Sequence, residues 1–353
     1  MQSALQDYIA SDGIALGLDL RTSAKQEFMD TFEDLILRPR SLEYRIQFPG
    51  PTGANAVEAA VKQARKVTGR TNIIAFTNAF HGFSLGALAL TGNSYHRRAS
   101  ASMLHGVHRA MYDGYLGPSC DTAESLRKPL SDPSGGIDKP AAIILEVVQG
   151  EGGINVPTRR WVKNIEQVAR QHGAILIVDE IQTGCGRTKP FFAFEAFDIR
   201  PDVVLVAKSI SGFGLPMSLV LLAPYVDLWR LGEHNGTFRG NNHAFVTATA
   251  ALREYWCDEH FEHETARKGR IANKILSEFA IDSKLAAQVK AVAYQQKLIV
   301  ELCGPSDEVI KIMPPLTVSD EELIAGINVL VSTIRTLLFA PNERSVDSQA
   351  PAP

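Results

Sequence analysis

Two side chains in this sequence stand where chemistry is easiest to arrange, Asp179 and Lys208, each at the end of a short apolar run. Ala174-Ile175-Leu176-Ile177-Val178 leads into Asp179, and Val203-Val204-Leu205-Val206-Ala207 leads into Lys208. Runs this short predict buried parallel strands rather than helices, and the carboxyl ends of such strands open into a site. A carboxylate and a lysine are each costly to bury alone, so two of them at neighbouring strand tips predict a functional pair of buried groups. A lysine in an apolar pocket forms an imine with an aldehyde. Pyridoxal 5′-phosphate is the aldehyde whose ring nitrogen needs a carboxylate partner to stay protonated. A plain ion pair closing the sheet is the alternative at this point.

Such a cofactor also needs a phosphate cradle and an aromatic cover. Phe48-Pro49-Gly50-Pro51-Thr52-Gly53-Ala54-Asn55 is a tight loop feeding a helix with the stripe Ala56, Ala59, Ala60, Ala64 and Val67, closed by Gly69. A Gly/Thr-rich turn feeding a helix N-terminus offers backbone N–H groups and a positive dipole end to a phosphate, and Thr52 adds a hydroxyl. The Gly-Lys-Ser/Thr of a Walker loop is missing, and simple N-capping by Thr52 or Asn55 would account for the same residues. Asn72-Ile73-Ile74-Ala75-Phe76 predicts a strand leading to Phe80 and His81, where Phe80 either covers a planar ring or sits in the core. Glu146, inside the apolar run from Ala141 to Gln149, must be paired or face a site, and Glu151 follows just after it. The polar loop from Asn235 to Asn242 brings Thr237 and Arg239 to the mouth of a helix from His243 to Tyr255, where they could meet anions.

Other patterns lead nowhere chemical. His105-x-x-His108 has no carboxylate at metal spacing and is flanked by Arg97, Arg98 and Arg109, so no metal is expected. His260-x-x-His263, beside Glu259 and Glu262, reads as a solvated helix face. Gly212-Phe213-Gly214 runs into Pro216 and a strand from Leu219 to Leu222 instead of a helix, which rejects a dinucleotide fingerprint.

The elements that must hold these residues alternate. A helix from Thr158 to His172, with Trp161, Ile165, Val168 and Ala169 inward and Gly173 as its stop, stands between two predicted strands. Strand, helix, strand in repetition predicts an α/β fold, with a mostly parallel central sheet and helices on both faces. The expected organisation is an N-terminal helical segment over 1–40, with Phe28, Phe32, Leu35 and Ile36 on one stripe, and a large cofactor-binding domain over 41–258. A small C-terminal α+β domain over 259–340 holds strands Leu298 to Leu302 and Val309 to Met313 and a helix from Ser319 to Leu338 capped by Ser319 and Glu322. The Pro/Ala-rich end, 341–353, reads as disordered. At 353 residues, with 45% hydrophobic and 21% charged residues and a net charge of -3, the chain has room for two domains and no basic stripe for nucleic acid or membranes. Its 4 cysteines show no C-x-x-C spacing, and no basic segment followed by an apolar one opens the chain, so a reducing, cytoplasmic setting is expected.

Taken jointly, the residues resemble the class III, fold-type I aminotransferases. Asp179-Glu180-Ile181-Gln182-Thr183-Gly184-Cys185-Gly186-Arg187-Thr188 resembles the family's D-E-x-Q-x-G-x-G-R-T motif, Ala207-Lys208 its cofactor lysine, and Gln149-Gly150-Glu151-Gly152-Gly153 its Q-G-E-G-G turn. The resemblance runs from about residue 4 to 338. Phe48 to Ala60 and Asn235 to Asn242 look most like the diaminobutyrate:2-oxoglutarate branch that serves ectoine synthesis. This implies a pyridoxal-phosphate enzyme interconverting L-2,4-diaminobutyrate plus 2-oxoglutarate and L-aspartate 4-semialdehyde plus L-glutamate. Another ω-amine, such as ornithine or 4-aminobutyrate, and a cofactor-binding paralogue without catalysis are the alternatives.

By the same likeness Lys208 forms the imine and then shuttles the proton, Asp179 pairs with the ring nitrogen, and Gln182 reaches the phenolic oxygen. Phe80 would stack on the ring beside His81, while Thr52, Gly53 and Ala54 hold the phosphate. Thr237 resembles the residue that reaches the neighbouring subunit's phosphate, which implies a homodimer. Glu151, Arg239 and Lys311 are the candidate substrate contacts, with Lys311 standing where the family's R-x-x-P-P-L has arginine. Two family segments have no counterpart, one ahead of the first residue and a Gly-rich strand pair near Ala280-Ile281-Asp282.

Overall fold

Residues 1–277 and 285–339 are described by the structure, a computed structural model; the expected break near Ala280-Ile281-Asp282 and the tail at 341–353 lie outside the described residues. The chain forms two compact units, Met1–Arg267 and a second from Lys268 onward. Strands β1 (Arg45–Gln47), β2 (Ile73–Phe76), β3 (Val107–Ala110), β4 (Ala142–Leu145), β5 (Ile175–Asp179), β6 (Val203–Val206) and β7 (Leu219–Leu222) make one sheet of the first unit, in the order β1-β7-β6-β5-β4-β2-β3. From β3 to β6 every pairing is parallel, whereas β7 runs antiparallel to β6 and β1 antiparallel to β7.

The apolar runs are continuous because both faces of this sheet are covered. Ile74, Phe76, Ile143, Leu145, Leu176 and Val178 belong to one buried face, and Ile73, Ala75, Ala142, Ile144, Ile175 and Ile177 to the other. The helices of the unit are α1 (Gln2–Ala10), α2 (Ser23–Phe32), α3 (Gly53–Thr68), α4 (Leu85–Leu90), α5 (Ser94–Arg97), α6 (Thr122–Ser131), α7 (Arg159–His172) and α8 (Asn242–Tyr255). Ala56, Ala59, Ala60 and Ala64 bring α3 close to the second face, while Trp161, Ile165, Val168 and Ala169 of α7 pack on the first. Both helices end on a left-handed glycine, Gly69 at φ 66° and Gly173 at φ 60°.

Two local expectations change. The predicted N-terminal helix is interrupted between α1 and α2, and α2 runs on through a π turn, Glu33–Leu37, and a 3₁₀ turn, Arg38–Arg40, instead of stopping before Pro39. Pro39 is tolerated in the first turn of the 3₁₀ segment, where its missing N–H is not needed, and the continuation keeps Ile36 and Leu37 buried. The run from Ala141 to Gln149 is a strand only as far as Leu145, because Glu146 leaves the ladder to accept bonds from the neighbouring loops.

Helix α9 (His260–Leu276) carries the chain into the second unit, which holds α10 (Ala286–Gln295), β8 (Glu301–Cys303), β9 (Val309–Lys311) and α11 (Asp320–Phe339). The antiparallel β8–β9 pair is shorter than predicted, because Pro314 and Pro315 follow β9 and cannot extend a ladder. Ser319 caps α11 as expected: its Oγ accepts from Glu322 N at 3.1 Å, and Glu322 Oε2 accepts from Ser319 N at 3.2 Å. Val289, Leu330 and Ile334 form one small core there, and Leu323, Ile327 and Val331 another. Among the described residues no helix is long and apolar enough to cross a membrane.

Candidate active site

Four parallel strands deliver their carboxyl ends to one place. Phe80 and His81 follow β2, Glu146 and Glu151 follow β4, Asp179 is the last residue of β5, and Lys208 comes two residues after β6. All six line a single cavity of about 430 Å³, together with Thr52, Gly53 and Ala54 at the start of α3, and Gln182. The strand order reverses between β2 and β4, since β3 lies outside β2, and such a reversal is where an open sheet leaves a crevice.

Asp179 is 4% exposed and held at both oxygens: its Oδ2 lies 2.8 Å from His81 Nδ1, and its Oδ1 accepts from Ile181 N at 3.0 Å. Burial opposes a charge on His81, yet the hydrogen bond to Asp179 and the charges of Asp179 and Glu146 outweigh it, and the pKa of His81 is raised. Glu146 is buried with it, and desolvation pushes its pKa up to about 7 against the opposing charge of His81. The tandem acids of the motif face opposite ways, as successive residues leaving a strand do. Glu180 turns from the cavity to accept from Thr183 Oγ1 at 2.7 Å and Phe194 N at 2.9 Å.

The other end of the cavity suits a phosphate. Thr52 caps α3, accepting from Asn55 N at 3.3 Å and donating to Asn55 Oδ1 at 2.8 Å, so the capping and anion-binding readings of this turn coexist. The N–H groups of Gly53 and Ala54, first in the helix, have no acceptor within it and lie at the positive dipole end. A Cβ on Gly53 would come within 2.9 Å of the Ile181 side chain, so glycine is what lets the helix start lie against the segment after Asp179. Phe80 is half-buried on the wall, its ring met edge-on by Phe83 at 5.1 Å and by His96 at 6.3 Å. An acid for a ring nitrogen, an aromatic cover, an amine and an N–H cradle are therefore all present, and they fit pyridoxal phosphate.

Gln182 Nε2 donates to Glu151 Oε1 at 2.9 Å, which ties the two glutamine- and glutamate-bearing turns together. Gly150 makes room for this contact, since a Cβ there would stand 1.5 Å from Gln182 Oε1. Lys208 corrects an expectation. It is exposed rather than buried, because β6 ends at Val206 and Lys208 opens a 3₁₀ turn at φ 54°. A left-handed backbone at a residue other than glycine costs about 1–2 kcal/mol, and such strain gathers at functional positions.

Two predicted contacts of the first unit do not line this cavity. Thr237 is exposed at the start of a 3₁₀ turn, Thr237–Arg239. Arg239 is ion-paired with Asp19 and donates to the His234 carbonyl, on a separate groove of about 650 Å³ that holds Arg21, Lys25 and Trp229 and none of the cavity residues named above. Lys311 belongs to the second unit, buried opposite Glu301 in the β8–β9 register, with its Nζ 3.0 Å from Glu301 Oε2. Two parts of the wall were not assigned from sequence. Glu146 carried a signal, a carboxylate inside an apolar run, whereas the loop Gly214 to Met217 carried only a Gly-x-Gly that pointed elsewhere.

Comparison with known proteins gives the same picture. The family described as Aminotransferase class-III matches residues 30–293. An uncharacterized aminotransferase of Sinorhizobium fredii, y4qG, is 51% identical over 93% of this chain and 78% of its own length. A diaminobutyrate–2-oxoglutarate transaminase of Vibrio cholerae is 47% identical over 94% of this chain and 85% of its own. In backbone, the crystal structure of an amine transaminase from an uncultivated Pseudomonas species, solved in its pyridoxal-phosphate-bound form, matches with a TM-score of 0.80 at 20% identity, covering 94% of this chain and 86% of that one.

Proposed function

This chain belongs to the class III aminotransferases, and on that premise we propose that it interconverts L-2,4-diaminobutyrate plus 2-oxoglutarate and L-aspartate 4-semialdehyde plus L-glutamate. The observation that carries the choice of donor is the 47% identity to a diaminobutyrate transaminase over nearly the whole chain. The cofactor is pyridoxal phosphate, which when bound stabilises the negative charge left on a carbon that gives up its proton.

The residues of the cavity divide the remaining work. Lys208 Nζ would hold the aldehyde end of the cofactor and would then take the proton from the amine-bearing carbon of the donor and deliver it to the cofactor's former aldehyde carbon. Asp179, braced by His81, keeps a proton on the ring nitrogen. Phe80 covers one face of the ring and fixes its plane, and the Gly53 and Ala54 N–H groups anchor the phosphate. Gln182 orients the phenolic oxygen, and its bond to Glu151 links that contact to the substrate side. Thr237, exposed on this chain, serves the phosphate of a second copy in a homodimer.

A donor panel tests the choice. With 2-oxoglutarate as acceptor, diaminobutyrate is expected to show a kcat/KM at least about 10-fold above ornithine, the range in which one methylene is discriminated. Glutamate formation measures the rate. A faster reaction with ornithine or 4-aminobutyrate would move the assignment to that amine, and no glutamate from any donor would leave a binding protein without catalysis.

A further inference from the structure

Glu151 reaches Gln182 from a turn whose shape is fixed by bonds made away from the cavity. The turn runs from Gln149 to Asn155, between β4 and α7, and neither end residue lines the cavity. Gln149 is 0% exposed: its Nε2 donates to the Thr77 carbonyl at 2.8 Å, just past β2, and its backbone N–H to the Asn155 carbonyl at 3.0 Å. Asn155 closes the ring from the other side, its Nδ2 donating to Gln149 Oε1 at 3.0 Å and to the Gly152 carbonyl at 2.9 Å. Gly152 lies flat on the backbone after β2, where a Cβ would stand 2.2 Å from the Asn78 carbonyl oxygen.

A plain connection from a strand to a helix does not require a closed ring. This one also carries strain, since Ile154 sits at φ 58°, a left-handed conformation that a β-branched residue rarely adopts. Such strain persists where the surroundings over-determine the backbone, and it gathers at functional positions. The bonds of Asn155, next in the chain, are the local source of that constraint. What the turn presents to the cavity is the Glu151 side chain, with Oε1 2.9 Å from Gln182 Nε2. A carboxylate on a fixed base loses less freedom when it engages a ligand than one on a mobile loop.

We propose that Asn155 is a positioning residue for the donor substrate, locking the turn from Gln149 to Asn155 so that the Glu151 carboxylate is held in one place on the substrate side of the cavity. The inference rests on the reading of Glu151 as a substrate contact and is indifferent to which amine is the donor.

The test uses the full chain loaded with pyridoxal phosphate and the donor that turns over fastest in the panel above. Asn155→Asp keeps the size of the side chain but replaces the amide that donates twice by an oxygen that does not donate. The KM for the donor is expected to rise about tenfold, the low end for a hydrogen bond to a charged group, while kcat and the cofactor dissociation constant stay, as when binding alone is lost. Glu151→Ala is expected to raise the same KM at least as much, and the double variant to match E151A alone within about twofold. An Asn155 that only held the fold together would add its full loss to that of E151A, or lower kcat and cofactor affinity as well, and either result overturns the proposal. An unchanged KM in E151A also overturns it, and leaves the Lys208-dependent turnover and the choice of donor intact. Should N155D not fold, Gly152→Ala puts the same question by pushing the turn off the Asn78 carbonyl. A raised KM that disappears in the E151A background supports the proposal, and an equal rise in both backgrounds refutes it.

Discussion

Lys208→Ala abolishes transamination, with an expected loss of at least about 10⁴-fold in kcat, the upper range for a positioned proton carrier, compounded by the loss of the covalent hold on the cofactor. The fold should barely register the change. Lys208 is exposed and lies beyond the last residue of β6. Its left-handed backbone is equally strained with alanine, so the expected stability change is within about 0.5 kcal/mol. Rate and thermal unfolding measured on the same preparation separate the two effects. A variant that still turned over diaminobutyrate at a tenth of the original rate would remove Lys208 from the chemistry.

Asp179→Asn is expected to combine a catalytic and a structural loss. Asparagine can still accept from Ile181 N through its side-chain oxygen, but it presents no charge to the ring nitrogen or to His81. Activity should fall by about 10³-fold, the scale of losing one preorganised charge at the reacting centre. The structural loss has a sign in pH. His81 has a folded pKa above its ordinary value, so its pairing stabilises the fold fully below about pH 6.5 and ceases to do so as the pH rises through the raised value. The stability difference between the two proteins should therefore be largest in mild acid and shrink toward alkaline pH, as read from urea unfolding at several pH values. A difference that grew with pH would mean that Asp179 does not hold a charged His81.

Much of this arrangement was legible because the sheet is covered on both faces. Continuous apolar runs such as Ile175–Val178 and Val203–Val206 can be little else in a chain of this composition, and the first polar residue beyond each marks a strand tip. The helix caps at Thr52 and Ser319 are readable from local spacing alone. What escaped depends on partners distant in sequence. Arg239 reads as an anion contact until Asp19, from the other end of the first unit, is seen to engage it. Lys311 reads as a substrate contact, and its burial opposite Glu301 within the second unit follows from a two-strand register that composition does not encode. Lys208 reads as buried if its strand continues to it, whereas a left-handed turn begins at that residue and lifts it off the sheet. Glu146 stands out as a carboxylate in an apolar run, but its bond to Phe80 N requires the β2 and β4 loops to be brought together.

The most direct measurement is chemical fixation of the cofactor. The chain is loaded with pyridoxal phosphate, reduced with borohydride, digested, and mapped by mass spectrometry. The pyridoxyl group is predicted on Lys208 alone, with none retained by Lys208→Ala. A label on another lysine with Lys208 unmodified would contradict the account.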